Sequence, residues 1–301
     1  MMVLVRVYLL SILMLSLAGA LSAAYPIFDI ANYFRPWLLL ASLPALFLFL
    51  SRLQPALTRT LGLIVLTLNA TLLFYPVLTN PSGLAPTKEK VLKLVSLNVW
   101  QANQKIDRVA EFLESEQADI VLLQEMHDDH LSAIKDRLRK KYPFIHTCDC
   151  RNLVLLSRYP WQVAGGNRLT STKPAMIWAR FAKPGRGTFR VVGVHTAAPH
   201  YPTIHVQHMR WLAEHLSSGE RLIIGGDFNA TPWSTRLMRM AAQHNLQRAM
   251  TFSWSWPSII YPLLLIDNFY VSNLLQIRSS KIGPDVGSDH RPVVMKIAIP
   301  S

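Results

Sequence analysis

Residues 222–229 read Leu-Ile-Ile-Gly-Gly-Asp-Phe-Asn: three aliphatic residues, two glycines, then a carboxylate and, one residue on, an amide. A short apolar run ending in turn-forming polar residues reads as a buried strand that delivers Asp227 and Asn229 at its end. The arrangement recurs along the chain. Ser96-Leu-Asn98-Val-Trp100 closes an apolar run from Val91, and Asp119-Ile-Val-Leu-Leu-Gln124-Glu125 ends in Glu125. His195 ends a run in Gly193-Val-His195-Thr-Ala-Ala-Pro199, and Asp267 lies within Leu265-Ile-Asp267-Asn-Phe-Tyr-Val271. Asp289 and His290 stand in Gly287-Ser-Asp289-His290-Arg-Pro292. One polar residue after a strand is ordinary turn chemistry. Six such places point to a site, because rigid strands can converge their ends on one mouth.

The intervening segments carry a different period. Ile106, Val109, Ala110 and Leu113 recur at helical spacing, and residues 128–141, 204–216 and 235–242 read as further helices. Residues 153–156, 176–181, 189–194 and 292–299 read as additional strands, the middle two as a pair. Strands alternating with helices indicate a layered α/β fold, sheets inside and helices outside.

Composition divides the chain in two. Half of its 301 residues are hydrophobic and only 16% are charged, against about a quarter in an ordinary soluble domain. That excludes a disordered tail protein and a collagen-like repeat. Residues 1–87 hold four basic residues (Arg6, Arg35, Arg52, Arg59) and one acid, Asp29; the remainder holds 27 basic and 17 acidic residues. We read 1–79 as a membrane region with two or three transmembrane helices and 80–90 as a linker. Residues 91–301 form a basic domain, ample for one large core. Residues 3–24 contain one charge, and residues 60–78, uncharged, reach ~28 Å as a helix. The middle stretch, 37–50, is shorter, contains Pro44, and is either a span or a re-entrant segment. Tyr33, Phe34 and Trp37 suit a headgroup belt. The first stretch also resembles a signal peptide, with Ala18-Gly-Ala20 and Ser22-Ala-Ala24 as small-residue cleavage sites. With the middle stretch spanning, either reading puts Arg52 and Arg59 in the cytoplasm and the large domain outside; without it the topology reverses.

Cys148 and Cys150 are the only cysteines, so no disulfide framework exists. Cys-x-Cys supplies too few metal ligands, leaving two loop thiols or one local bridge.

The ordered set Asn98, Gln124-Glu125, His195, Gly226-Asp-Phe-Asn229, Asp267 and Ser288-Asp-His290 resembles the endonuclease/exonuclease/phosphatase superfamily, across essentially all of residues 91–299. The resemblance implies a four-layer α/β sandwich and metal-dependent hydrolysis of phosphoesters. With the membrane spans, the chain is further similar to bacterial membrane-anchored members, including phosphatase-like proteins linked to glycopeptide-antibiotic resistance. That implies a multi-pass protein of a bacterial inner or plasma membrane.

Phosphoester hydrolysis needs charge neutralised on the phosphoryl oxygens, an activated water and a stabilised leaving oxygen. Mg²⁺, or Mn²⁺ in its place, takes oxygen ligands. The resemblance makes Glu125 the principal ligand, with Asn98 and Asp289 beside it. It makes His290 the general base, oriented by Asp267 as a carboxylate fixes an imidazole tautomer. Asp227 orients the water, Asn229 donates to a phosphate oxygen, and His195 contacts the phosphate or assists the leaving group. A surface carboxylate, a turn asparagine and a strand-end histidine are the plain alternatives for Glu125, Asn98 and His195. Two positions depart from the family: Asn268, where many members carry histidine, and Arg151-Asn152, where glycine is common.

The domain's positive charge favours an anionic partner. The apolar segment from Phe252 to Leu263 is either core or an apolar rim facing a bilayer or lipid tail. The expected partners are membrane lipids and an anionic phosphorylated substrate, with no obligate protein partner evident. The leading expectation is an extracytoplasmic phosphoesterase acting on a lipid-linked phosphate, phosphodiester or pyrophosphate. A surface nuclease taking DNA or RNA, and a non-catalytic phospho-ligand-binding protein, are the alternatives.

Overall fold

The computed structural model describes residues 2–51, 54–78, 91–150, 152–183, 187–249, 252, 254–259 and 261–300. The expected linker at 80–90 and Arg151 lie outside the described residues. The chain forms two compact units: Met1–Pro81 with Pro232–Met238, and Ser82–Thr231 with Arg239–Ser301.

The first unit is helical: α1 (Met2–Ala18), α2 (Ile30–Tyr33), α3 (Arg35–Ser42), α4 (Pro44–Ser51) and α5 (Ala56–Leu78). Met2–Ala23 and Ala56–Pro76, of 22 and 21 residues, are long and apolar enough to cross a membrane. Between them, Pro26–Tyr33 and Arg35–Leu50 form a pair bent by 59°, which makes a third span if counted as one. Proline explains both breaks. Pro36 sits in the first turn of α3 and Pro44 opens α4, positions where the missing N–H costs nothing but the preceding helix cannot continue.

Inside this unit Asp29, Asn32 and Arg35 are buried and satisfy one another. Asn32 Nδ2 donates to Asp29 Oδ1 at 2.7 Å, and Arg35 Nε donates to Asn32 Oδ1 at 3.0 Å. The segment Pro232–Met238 completes the network: Ser234 Oγ donates to Asp29 Oδ2 at 2.7 Å, and Arg236 Nη1 lies 3.4 Å from the same oxygen. A buried carboxylate is tolerable only with such partners.

The second unit is a sandwich of two six-stranded mixed sheets with helices outside. In chain order its elements are β1 (Val91–Asn98), α6 (Ile106–Glu116), β2 (Ile120–Gln124), α7 (Asp128–Arg139), β3 (Phe144–Thr147), β4 (Val154–Ser157) and β5 (Val163–Asn167). There follow β6 (Ala175–Lys183), β7 (Gly187–His195), α8 (Pro202–His215), β8 (Leu222–Asp227) and α9 (Thr235–Gln243), whose first turn belongs to the helical unit. The chain closes with β9 (Leu246–Arg248), β10 (Asp267–Ser272), β11 (Gln276–Ile282) and β12 (Val293–Ala298). One sheet has the order β11-β12-β1-β2-β4-β3, the other β5-β6-β7-β8-β10-β9. Each contains a single parallel pair, β1 with β2 and β7 with β8, and each pair is joined through a helix, α6 or α8.

Strand parity builds the layers, since successive side chains point to opposite faces. Leu92 and Leu94 of β1 and Ile120 and Leu122 of β2 enter the core between the sheets. There they join Val191, Ile223, Phe269 and Met295. Val95, Leu97, Val121 and Leu123 face the other way, onto Val109 and Leu113 of α6 and Leu131, Ile134 and Leu138 of α7. Full burial of each such side chain is worth about 1.5–3 kcal/mol.

The two glycines of the opening motif serve different ends. At Gly225 the space a Cβ would take is filled by the Phe269 ring in the inter-sheet core. At Gly226 the backbone has φ +150° and a Cβ would strike the Val194 carbonyl of the neighbouring strand. Gly226→Ala is therefore expected to lower the melting temperature of the full chain by about 5–10 °C in a near-ultraviolet circular dichroism melt. An unchanged melt would show that the strand pair gives way freely.

Cys148 and Cys150 are joined as a disulfide, the local bridge among the alternatives the sequence left open.

Candidate active site

The same parity that fills the core builds the site. On β1 the inward positions continue from Leu92 and Leu94 to Ser96 and Asn98, and on β2 from Ile120 and Leu122 to Gln124. On β7 the inward residues Val191 and Gly193 lead to His195, and on β8 Ile223 and Gly225 lead to Asp227. The inward side of each strand is apolar until its end, where it turns polar, at Ser96 and Asn98 on β1 and at the last inward residue on the other three. Pairing brings these residues together: Asn98 is opposite Gln124, while Asp227 has His195 on one side and Asp267 on the other. The site lies at the carboxyl ends of both parallel pairs, where open α/β sheets hold their ligands.

Asp227 is almost fully buried and its Oδ2 is the hub. Asn98 Nδ2 donates to it at 3.1 Å and Asn229 Nδ2 at 3.2 Å; His195 Nε2 and His290 Nε2 lie 3.7 and 3.8 Å away. Burial and the neighbouring Asp267 charge push Asp227 up to about 7, against the pull of His290 and the amide donors. Glu125, at a left-handed φ of 55°, turns off the end of β2. Its Oε1 accepts from Asn98 Nδ2 at 3.0 Å and its Oε2 from the Gln101 N–H at 3.1 Å, with His195 Nε2 at 3.7 Å. Burial raises Glu125, but His195, Asn98, Gln101 and His290 outweigh it and hold the carboxyl below its ordinary value.

His290 Nδ1 and Asp267 Oδ2 are 2.8 Å apart, both groups buried. Burial alone would lower the imidazole pKa. The Asp267 carboxylate, followed by Asp227 and Asp289, overcomes this and raises it to about 10. The imidazole thus lies well above the near-neutral range of an ordinary histidine. Asp267, Asp227 and His290 offer three ligand atoms within 4.8 Å of one another. Asp289 contributes a further acceptor: its Oδ2 takes the Trp256 indole N–H at 3.0 Å, and its buried Oδ1 has no hydrogen-bond partner.

Two amides, Asn98 and Asn229, sit otherwise than their expected roles require. Asn98 Oδ1 accepts from the Trp100 N–H at 2.9 Å, so its amide turns nitrogen rather than oxygen toward Glu125 and Asp227. Asn229 Nδ2 donates to Asp227 and to the Thr196 carbonyl at 3.1 Å. Both amides hold the carboxylates here. Asn268, next to Asp267, lies on the opposite face of β10 by parity and bonds the Leu265 carbonyl, so the departure from the family pattern does not reach the His290 pair. The sequence assigned no role to three supports. Ser288 Oγ donates to the Asn98 carbonyl at 2.7 Å and receives the His290 N–H at 3.0 Å. His208, on α8, receives the Ala197 N–H just beyond His195, and Trp256 holds Asp289.

Comparison with known proteins agrees. A profile described as the Endonuclease/Exonuclease/phosphatase family matches residues 95–290, which reach from β1 to His290. This chain belongs to that family. Among solved structures, a family protein from Bacteroides thetaiotaomicron aligns with TM-score 0.59 at 15% identity, over 71% of this chain and all of that one. One from Bacteroides vulgatus aligns with TM-score 0.58 at 18% identity, over 70% of this chain and all of that one. The beta toxin of Staphylococcus aureus aligns with TM-score 0.53 at 18% identity, over 68% of this chain and 99% of that one. At such identities the likeness is one of fold. No curated protein matches the chain.

The family's members use divalent metals, and the donor set here fits one. Four carboxylates, Glu125, Asp227, Asp267 and Asp289, converge on two histidines, and the buried Oδ1 of Asp289 has no hydrogen-bond partner. That is the oxygen-rich, net-negative setting a hard dication stabilises.

Proposed function

We propose that this family member is a membrane-anchored phosphoesterase, dependent on Mg²⁺ or Mn²⁺, that hydrolyses a lipid-linked phosphate, phosphodiester or pyrophosphate outside the cytoplasm. The observation that carries the reading is the buried Asp267–His290 pair, 2.8 Å apart, directed at the carboxylate hub of Asp227. With Nδ1–H held by Asp267, the free lone pair of His290 is on Nε2, which faces Asp227 Oδ2 and Asp289 Oδ1 at 3.8 and 3.9 Å. Nε2 is thus the atom that takes a proton from an incoming water, and Asp267 stabilises the imidazolium formed. Asp227 orients that water. His195, across the mouth, donates from Nε2 to a phosphoryl or leaving oxygen. Glu125 and Asp289 Oδ1, with Asp227, are the oxygens that would hold the metal. Asn98 and Asn229 keep those carboxylates in place. A bound dication supplies charge neutralisation on the phosphoryl oxygens.

The test is turnover by the full chain, with Mg²⁺ or Mn²⁺, of plasmid DNA, sphingomyelin, phosphatidylinositol phosphates and undecaprenyl pyrophosphate. Preferential turnover of a lipid substrate is expected. Preference for plasmid DNA would replace the lipid reading with a nuclease, and inertness toward all of them would leave a phospho-ligand-binding protein.

The extracytoplasmic placement rests on the bent pair serving as one span, with the loop carrying Arg52 and Arg59 inside. A reporter that works only outside the cytoplasm, fused after Ser301, is expected to be active, and silent when inserted between Ser51 and Arg59. The opposite pattern would reverse the topology.

A further inference from the structure

Residues 256–259 and 261–264 make a projection beside the site. Trp256 and Leu264 pair as an antiparallel bridge, and the N–H groups of Leu263 and Leu264 both reach the Trp256 carbonyl at 2.8 Å. The base of the projection is tied to Ser288 and Asp289, next to His290. Trp256 Nε1 donates to Asp289 Oδ2 at 3.0 Å, the Ser258 N–H donates to the Asp289 carbonyl at 2.7 Å, and Ser258 Oγ bonds the Ser288 carbonyl. The tip is apolar and in the open: Ile259 is 66% exposed, Tyr261 67% and Leu263 42%. Of core and rim, the two readings the sequence allowed, this tip is rim.

Resting on the phosphoesterase reading, we propose that the tip carrying Ile259, Tyr261 and Leu263 seats in the headgroup–hydrocarbon boundary of the chain's own bilayer. There it presents a lipid-borne phosphate to His290. Four features favour lipid over a protein partner. The chain carries helices able to cross a membrane, and the 12 residues from Thr79 to Lys90 can reach at most ~43 Å. A bilayer is therefore the apolar phase always within reach, at high effective concentration. Pro257 and Pro262 remove two N–H groups from the tip, lowering the cost of taking its backbone out of water. Tyr261 places an amphipathic ring where such rings collect. The 27 basic residues beyond position 87, against 17 acidic ones, draw the domain toward anionic headgroups. Because its base is bonded to Ser288 and Asp289, the tip sets how far from the membrane surface the site works.

The test uses the full chain in nanodiscs of phosphatidylethanolamine and phosphatidylglycerol. A nitroxide is placed on Tyr261→Cys or, as control, on Ser279→Cys, an exposed position of β11. At 261 the ratio of oxygen to nickel-chelate collisions is expected to exceed that at 279 by about fivefold. In parallel, the variant Ile259→Ser/Tyr261→Ser/Leu263→Ser is assayed in the same discs on undecaprenyl pyrophosphate and phosphatidylinositol phosphate. It is also assayed on soluble bis(4-nitrophenyl) phosphate. Lipid turnover is expected to fall about tenfold and soluble turnover to stay within about twofold. A nitroxide at 261 as wet as at 279, or equal losses on lipid and soluble substrates, would overturn the proposal. If 261 lies in lipid while the parent hydrolyses none of the esters, the docking half stands and presentation of a substrate to His290 is overturned together with the phosphoesterase reading.

Discussion

His290→Ala is expected to lower turnover by about 10³–10⁴-fold, because it removes the one proton acceptor that Asp267 orients and stabilises as a cation. Asp289 is the neighbour in sequence, but one of its oxygens is held by Trp256 and it lies 3.9 Å from Nε2. Asp267→Asn should cost nearly as much while sparing substrate binding. An amide N–H at 2.8 Å from Nδ1 favours the wrong imidazole tautomer, and the amide oxygen, a weaker acceptor, holds the right one less firmly and does not stabilise the imidazolium. Since the two side chains act as one unit, the double variant should lose far less than the product of the single losses. The pH profile gives an independent readout. A base works unprotonated, so wild-type turnover rises with pH, and the carboxylates that lift His290 to about 10 hold that limb high. Removing the Asp267 charge lets burial prevail, so the limb of Asp267→Asn moves to lower pH beneath a lower plateau. Turnover of both single variants and the double variant across pH 6–10 decides the matter. Multiplicative losses, or a limb that stays in place, would separate Asp267 from His290.

Chelation is the second large effect. Removing divalent ions should abolish turnover, at least about 10³-fold, and Mg²⁺ or Mn²⁺ should restore it. Glu125→Gln is the matching variant. Its carbonyl can still accept from Asn98 Nδ2, now 3.0 Å from Oε1, while the Gln101 N–H gives up its bond to Oε2. The lost charge should raise the metal concentration needed for half-maximal turnover by about 10–100-fold. A titration of turnover against Mg²⁺ for both proteins, with circular dichroism to confirm folding, measures this. Full activity of Glu125→Gln in chelator would remove the metal from the reaction.

The central strands were legible because burial on both faces writes them as near-continuous apolar runs. Ile120-Val-Leu-Leu and Leu222-Ile-Ile are fully buried and were recognisable from composition alone. Four strands escaped: β3, β5, β9 and β11. The strand β11, Gln-Ile-Arg-Ser-Ser-Lys-Ile, lies at a sheet edge with only Ile277 buried, and its polar side chains read as loop. The strand β5 contains Gly165 and Gly166, whose missing side chains make room for Trp178 and Cys148, a need visible only from the neighbours.

The sequence by itself determined which residues are spent at strand ends. Asn98, Glu125, His195, Asp227, Asp267 and His290 each interrupt or terminate an apolar run, and burying such groups is costly unless they are used together. It also determined the division between apolar helices and a basic α/β domain, because a charge-poor stretch of about 20 residues has few other solutions. Tertiary structure decided which side chains meet. Parity turned Asp267 inward and Asn268 outward; register set His195 and Asp267 on either side of Asp227. The packing of one sheet on the other carried Asn98 across to that carboxylate. Trp256 reaches Asp289 over 33 residues of chain, a contact no local pattern can announce. The physical reason is the same in each case. Propensity and periodicity act over a few residues, whereas a site is made by groups distant in sequence whose charges and hydrogen bonds are satisfied only by one another.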